Sequence, residues 1–208
     1  LNAGADGTAL NKRDGSVVWE SGNGRSGYAT PVPVKLNGRN AILLFGMDAL
    51  FALETSSGKR LWRFPWKTGH DVNSADPIMH KDNIFISSGY NHGCALLQVG
   101  NGTPTAVYEK RTMRNHFNSS ILWEDHLYGF DENIFKCIEF ATGNEKWSSR
   151  KLGEGSLSLA EGTLIILSER GDLVFAEADP GAYTELGRKN VLSGRCWTTP
   201  TLSNGRVY

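Results

Sequence analysis

Ala52-Leu53-Glu54-Thr55-Ser56-Ser57-Gly58-Lys59-Arg60-Leu61-Trp62 places a glycine four residues before a tryptophan and a small residue ten before it. The same spacing returns at Ala9, Gly15 and Trp19, and again at Cys137, Gly143 and Trp147. Trp19 and Trp62 lie 43 residues apart, and Trp62 and Trp147 lie 85 apart, which is about two further periods of that size. A period of about forty residues is the mark of a small sheet repeated in tandem.

The intermediate repeats follow by pattern. Tyr108 takes the tryptophan position after the apolar run 95–99, and Leu186 takes it ten residues after Ala176. Each repeat reads as four short apolar runs separated by turn residues. In the second repeat these are 30–36, 41–46, 50–54 and 60–64. Asn37-Gly38 and Ser56-Ser57-Gly58 are turn sequences that join antiparallel neighbours. No window keeps a helical period, so helix is not expected anywhere.

Four-stranded antiparallel units in tandem predict an all-β chain built as a β-propeller, each sheet burying both faces against its neighbours. An open β-solenoid or a sandwich is the alternative, and regular spacing of a rare residue argues against both. The three tryptophans are expected to dock between blades as structural residues. The chain is read as a single domain, 1–208, holding four full blades at roughly 30–73, 74–118, 119–156 and 157–198. Residues 1–21 and 199–208 supply parts of two more. An unclosed arc would expose long strand edges and an unburied blade face. A piece of a larger propeller, monomeric once closed, is therefore expected.

Composition narrows the classes of function. Lys+Arg and Asp+Glu are both 22, so the net charge is zero, which argues against a general nucleic-acid or anionic-membrane surface. The longest apolar run, 41–45, is far too short to span a bilayer. Cys94, Cys137 and Cys196 form no CxxC pair, and the first two sit where a third strand wants a small buried residue. Neither a nucleophile elbow nor a phosphate-binding glycine loop is present, and no catalytic residue is assigned.

Topology then selects a surface. Strands alternate in direction, so the loops joining second and third strands share one rim with the segments between blades. That rim collects His70, Asp71, Asn73, Asp76, His92, Arg114, Asn115, His116, Arg195 and Trp197, while the opposite rim carries generic turns. Such side chains converging on a concavity suit a small polar or anionic ligand or a protein partner. Arg114 and Arg195 would repel each other unless carboxylates satisfy them, and Asp71, Asp76 and Glu154 are the expected internal partners. The three rim histidines with Asp71 and Asp76 lack the spacing of a known metal site, so none is assigned. Asn and Asp also cap turns and loop backbone routinely, which is the competing reading for any one of these residues.

The repeated 52–62 stretch, with its counterparts at 137–147 and 9–19, resembles the Ala-x-Asp-x-x-Thr-Gly-x-x-x-Trp repeat of pyrroloquinoline quinone (PQQ)-like propellers, which are also WD40-like in architecture. Glu54, Glu139 and Asn11 replace the acidic Asp, and the fifth repeat loses both Gly and Trp. The family includes quinone-dependent alcohol dehydrogenases and cofactor-free members such as a lipoprotein of the outer-membrane assembly machinery. The resemblance implies a propeller of about seven or eight blades in the periplasm or otherwise outside the cytoplasm. It implies a non-catalytic binding scaffold. The alternative is a PQQ-dependent alcohol dehydrogenase with calcium at the channel mouth. Such enzymes stack the quinone between a Trp and a disulfide of adjacent cysteines, and no adjacent pair stands in this sequence.

Overall fold

The computed structural model describes residues 1–2, 6–22 and 24–208; residues 3–5, in the first partial repeat, and residue 23 lie outside the described residues. Every regular element among the described residues is a strand. The chain divides into two compact units, 1–109 and 110–208.

In the first unit, β1 (Thr8–Leu10) and β2 (Val17–Glu20) pair as a hairpin. They are followed by β3 (Val32–Leu36), β4 (Arg39–Phe45), β5 (Ala49–Glu54) and β6 (Arg60–Pro65). A second four-stranded sheet holds β7 (Ile78–His80), β8 (Asn83–Ser88), β9 (Gly93–Gln98) and β10 (Thr105–Lys110). In the second unit, β11 (Ile121–Trp123), β12 (His126–Asp131), β13 (Ile134–Glu139) and β14 (Glu145–Ser149) form one sheet. β15 (Gly155–Ala160), β16 (Thr163–Ser168), β17 (Asp172–Glu177) and β18 (Glu185–Asn190) form the next, and β19 (Leu202–Ser203) pairs with β20 (Arg206–Val207). All four large sheets run in chain order, and they are the four-stranded antiparallel blades of a β-propeller.

The middle strands explain why the apolar runs looked continuous. Leu43, Phe45, Leu50 and Ala52 point to one face and pack with Ile84, Ile86, Ala95 and Leu97 of the following sheet. The residues between them, Leu44, Ala49, Phe51 and Leu53, point to the other face, with Trp19 against them. Side chains alternate across a strand, so a strand buried on both faces needs apolar residues at both parities. In the second unit Tyr128, Phe130, Phe135 and Cys137 pack in the same way with Leu157, Leu164, Ile166 and Val174.

The repeat motif is a local structure in its own right. Ala9 pairs with Trp19, Ala52 with Trp62, and Cys137 with Trp147, directly across the ladder. A small residue opposite an indole leaves it room, since facing side chains lie close enough to crowd. In each case the register slips at the next residue, a bulge that sharpens the twist. The turn is closed by Gly15 N–H to Asn11 O at 2.8 Å, Gly58 N–H to Glu54 O at 2.9 Å and Gly143 N–H to Glu139 O at 2.8 Å. These glycines hold φ of 75°, 70° and 67°, the left-handed region that side chains disfavour. The acidic position also serves the turn: Glu54 accepts Ser57 Oγ and Glu139 accepts Thr142 Oγ1, each at 2.5 Å.

One expectation is corrected. Leu186 does not occupy the tryptophan position of the fourth full sheet. Ala176 pairs with Glu185 and Phe175 with Gly187, so the slip falls one residue earlier and leaves Leu186 in the bulge, 55% exposed. Spacing alone misses this, because a bulge shifts the ladder without changing the sequence count.

Candidate functional site

The tryptophans reach across sheets through their ring nitrogens. Trp19 Nε1 donates to Thr55 O at 3.0 Å, in the turn between β5 and β6. Trp147 Nε1 donates to Asp179 O at 2.8 Å, in the loop between β17 and β18. Trp62 is buried among the apolar residues of its own and the next sheet, whereas Trp19 and Trp147 are only half-buried.

The rim residues of the first unit divide by role. Asn73 is fully buried: its amide nitrogen donates to Gly46 O at 2.8 Å, Met47 O at 3.2 Å and Trp66 O at 3.3 Å. Its oxygen accepts Ser88 Oγ at 2.7 Å, and Trp66 Nε1 donates to that same hydroxyl at 2.9 Å. Such a side chain fastens loop backbone and has nothing left to offer a ligand. Asp76 accepts the backbone N–H of Thr30 at 2.6 Å. Asp71, in left-handed backbone at φ 53°, stands 3.5 Å from Arg25. His92 meets Trp66 edge-on at 4.6 Å between centroids, and exposed His70 tilts against Tyr90 at 4.5 Å.

In the second unit Asn115 repeats the part of Asn73. Its nitrogen donates to Phe130 O at 3.1 Å and its oxygen accepts Ser120 Oγ at 2.9 Å. Arg114 is held by a carboxylate that the sequence reading did not pair with it. Its Nε donates to Asp131 Oδ1 at 2.5 Å and its NH2 group to Asp131 Oδ2 at 3.0 Å, with Glu132 at 3.6 Å. Asp131 is 1% exposed and also takes Lys136 Nζ at 2.8 Å, which in turn lies 3.0 Å from Glu145. The Asp131 hydrogen bond pushes the Arg114 pKa up. Burial opposes the charge on Lys136, but its bonds to Asp131 and Glu145 outweigh burial and leave its pKa raised. An Arg fork closed on an internal carboxylate is matched in shape and charge. Of the carboxylates expected there, Asp71 stands beside Arg25 and Glu154 beside His116.

What stays open in this unit is a ladder of flat groups. The Arg195 guanidinium lies over Trp197 at 5.6 Å. Trp197 stacks on Phe117 at 4.7 Å and 26°, and Phe117 on His116 at 3.7 Å and 29°. His116 Nδ1 is 3.5 Å from Glu154. Phe117 is 40% and Trp197 50% exposed. Sequence reasoning assigned Arg195, Trp197 and His116 but left out Phe117; the signal was an aromatic residue in an inter-blade segment where a small residue suffices. Asp131 was likewise missed, since its role depends on Arg114 arriving 17 residues away.

The three cysteines are free. Among the described residues no group of three or more His, Cys, Asp or Glu side chains could hold a metal ion. Among the described residues no helix is long and apolar enough to cross a membrane.

No curated protein matches the chain. Among solved structures it is similar to BamB from Moraxella catarrhalis, with a TM-score of 0.70 at 18% identity over 96% of this chain and 62% of that one. It is also similar to the Cps50 (Swd1) β-propeller domain of Myceliophteria thermophila, with a TM-score of 0.64 at 12% identity over 88% of this chain and 64% of that one. The chain thus spans less than two thirds of either structure, and identities this low speak for the propeller fold alone. The family model described as outer membrane protein assembly factor BamB matches residues 2–149. With that match running through the three tryptophan motifs, the chain belongs to the BamB family of PQQ-like β-propellers.

Proposed function

We propose that the chain is a single propeller domain within a larger, non-catalytic scaffold outside the cytoplasm, which holds a protein partner in outer-membrane protein assembly. The process is carried over from the family name, and the surface from this chain's own residues. The observation that carries the reading is the exposed stack of Phe117 and Trp197, capped by Arg195. Aromatic and arginine side chains offer large contact area at low entropic cost and dominate the energetics of protein interfaces. A stack left half in water has no need of its exposed faces for folding. His70 with Asp71 and His92 contribute to the same kind of surface in the first unit, while Asn73, Asn115 and Arg114 position loops.

Site-specific photo-crosslinking from position 197 in the full-length protein, in its own cells, tests this. A single partner that belongs to the outer-membrane assembly apparatus is expected, with crosslinking lost in Phe117→Ala. Fractionation should recover the protein outside the cytoplasm, and gene deletion should lower folded β-barrel proteins in the outer membrane. A cytoplasmic protein, or an unchanged outer-membrane profile together with no crosslink, would overturn the reading.

A further inference from the structure

Trp62 differs from its two counterparts in one respect. Trp19 and Trp147 give their ring N–H groups to carbonyls of the following sheet. The Trp62 N–H finds no acceptor among the described residues, and it is not among the polar atoms sealed from solvent. Beside it, in the loop between β9 and β10, the Gly100 carbonyl accepts Asn37 Nδ2 at 3.1 Å.

A recess of about 350 Å³ opens at this place, bordered by Trp62, Leu36, Leu61 and Val99 as apolar wall and by Arg39 and Asn101 as polar margin. That volume stands at the lower end of ligand-binding cavities. Arg39 is exposed and makes no hydrogen bond or ion pair among the described residues. An N–H donor without a protein acceptor and a guanidinium without an anion thus share one cleft with an apolar wall. Both groups are open to water, and a carboxylate would answer both.

We propose that this recess binds a carboxylate carrying an apolar body. One oxygen accepts the Trp62 N–H, where a backbone carbonyl serves the other two tryptophans. The charge faces Arg39, and the apolar body lies against Leu36, Leu61 and Val99. Leu36, Leu61 and Trp62 belong to one sheet and Val99 to the margin of the next, so the ligand would stitch the two sheets within the first unit. This inference is independent of the scaffold reading above, which concerns other residues.

The six tryptophan ring N–H signals in a ¹⁵N spectrum give a direct readout, with Trp62 assigned through Trp62→Phe. Sodium octanoate at millimolar concentration should shift the Trp62 signal saturably and leave those of Trp19 and Trp147 in place. Octanol should bind more weakly by about tenfold or more, and Arg39→Gln should weaken octanoate to a similar degree, the loss of one charge-assisted hydrogen bond. Arg39 is exposed, so the variant spectrum should otherwise overlay that of the wild type. N-acetyl-Gly-Leu separates two sources of the same chemistry: tighter binding than octanoate points to the end of a polypeptide, weaker binding to a free acid. An unmoved Trp62 signal, octanol matching octanoate, or Arg39→Gln binding as the wild type does would each overturn the proposal.

Discussion

The six-membered ring of Trp19 lies over the α-carbon of Gly58, the glycine of the next motif. A β-carbon added at Gly58 would stand 2.5 Å from Trp19 Cε3 and 2.7 Å from Cδ2. The glycine that shapes the turn between β5 and β6 therefore also leaves room for the tryptophan of the preceding motif. At this pair of sheets the match of glycine and tryptophan at the repeat period is a requirement of contact.

Gly58→Ala should accordingly destabilise the protein by about 1–3 kcal/mol, combining left-handed backbone with overpacking. Gly38→Ala provides the comparison. Gly38 has φ 78° with nothing within 4 Å of an added β-carbon, so only the backbone cost of about 1 kcal/mol applies. Urea midpoints of the two variants check this; equal losses would show that the Trp19 contact does not matter.

The ring N–H bonds make a second contrast. Trp19→Phe and Trp147→Phe each remove a hydrogen bond worth about 0.5–1.5 kcal/mol in addition to ring area. Trp62→Phe removes ring area but no hydrogen bond to the protein. Trp62→Ala, in a packed site, should cost about 3–5 kcal/mol. Denaturant titration should therefore show Trp62 tolerant of Phe and intolerant of Ala.

The buried carboxylate of Asp131 holds two cations. Asp131→Asn should cost about 3–5 kcal/mol, because Arg114 and Lys136 would lose their shared buried carboxylate and keep only the more exposed Glu132 and Glu145. The Lys136 pKa is raised above its ordinary 10.5. Its contribution is thus complete below that value and fades as pH rises through the folded-state pKa. For Glu145 burial acts upward, but bonds from Ser148 and Lys136 prevail and its pKa falls below 4.5. Its contribution is complete above 4.5 and is lost as pH drops through the lowered value. The gap between the thermal melts of wild type and Lys136→Met should close as pH rises through the raised Lys136 pKa and narrow only in part as pH drops through that of Glu145, since the Asp131 bond remains.

Thiol reactivity reports the packing of the third strands. Cys94 and Cys137 are fully buried, and burial first of all pushes the Cys137 pKa up to about 11 despite a hydrogen bond with Tyr128. Cys196 is partly exposed. At pH 8 a disulfide reagent should label Cys196 rapidly in the folded protein and the other two only after unfolding. Rapid labelling of all three would contradict tight packing of β9 and β13.

The sequence by itself determined the repeat, the all-β class and the place of each motif, because these follow from local rules. A glycine is needed for a left-handed turn, a small residue must face an indole, and both parities of a doubly buried strand must be apolar. Trp19, Gly58 and Ala52 were legible for that reason. Only the tertiary structure decided how polar side chains were used. Whether an asparagine meets a ligand or a carbonyl depends on what distant strand lies beside it. Asn73 and Asn115 looked like binding residues and are buried fasteners, while Arg114 found Asp131 in the next hairpin. The slip at Phe175 was hidden for a related reason: a bulge moves a residue across the ladder with no change in count. The open N–H of Trp62 was equally out of reach, since no local pattern shows which carbonyl of a neighbouring sheet comes within reach of an indole.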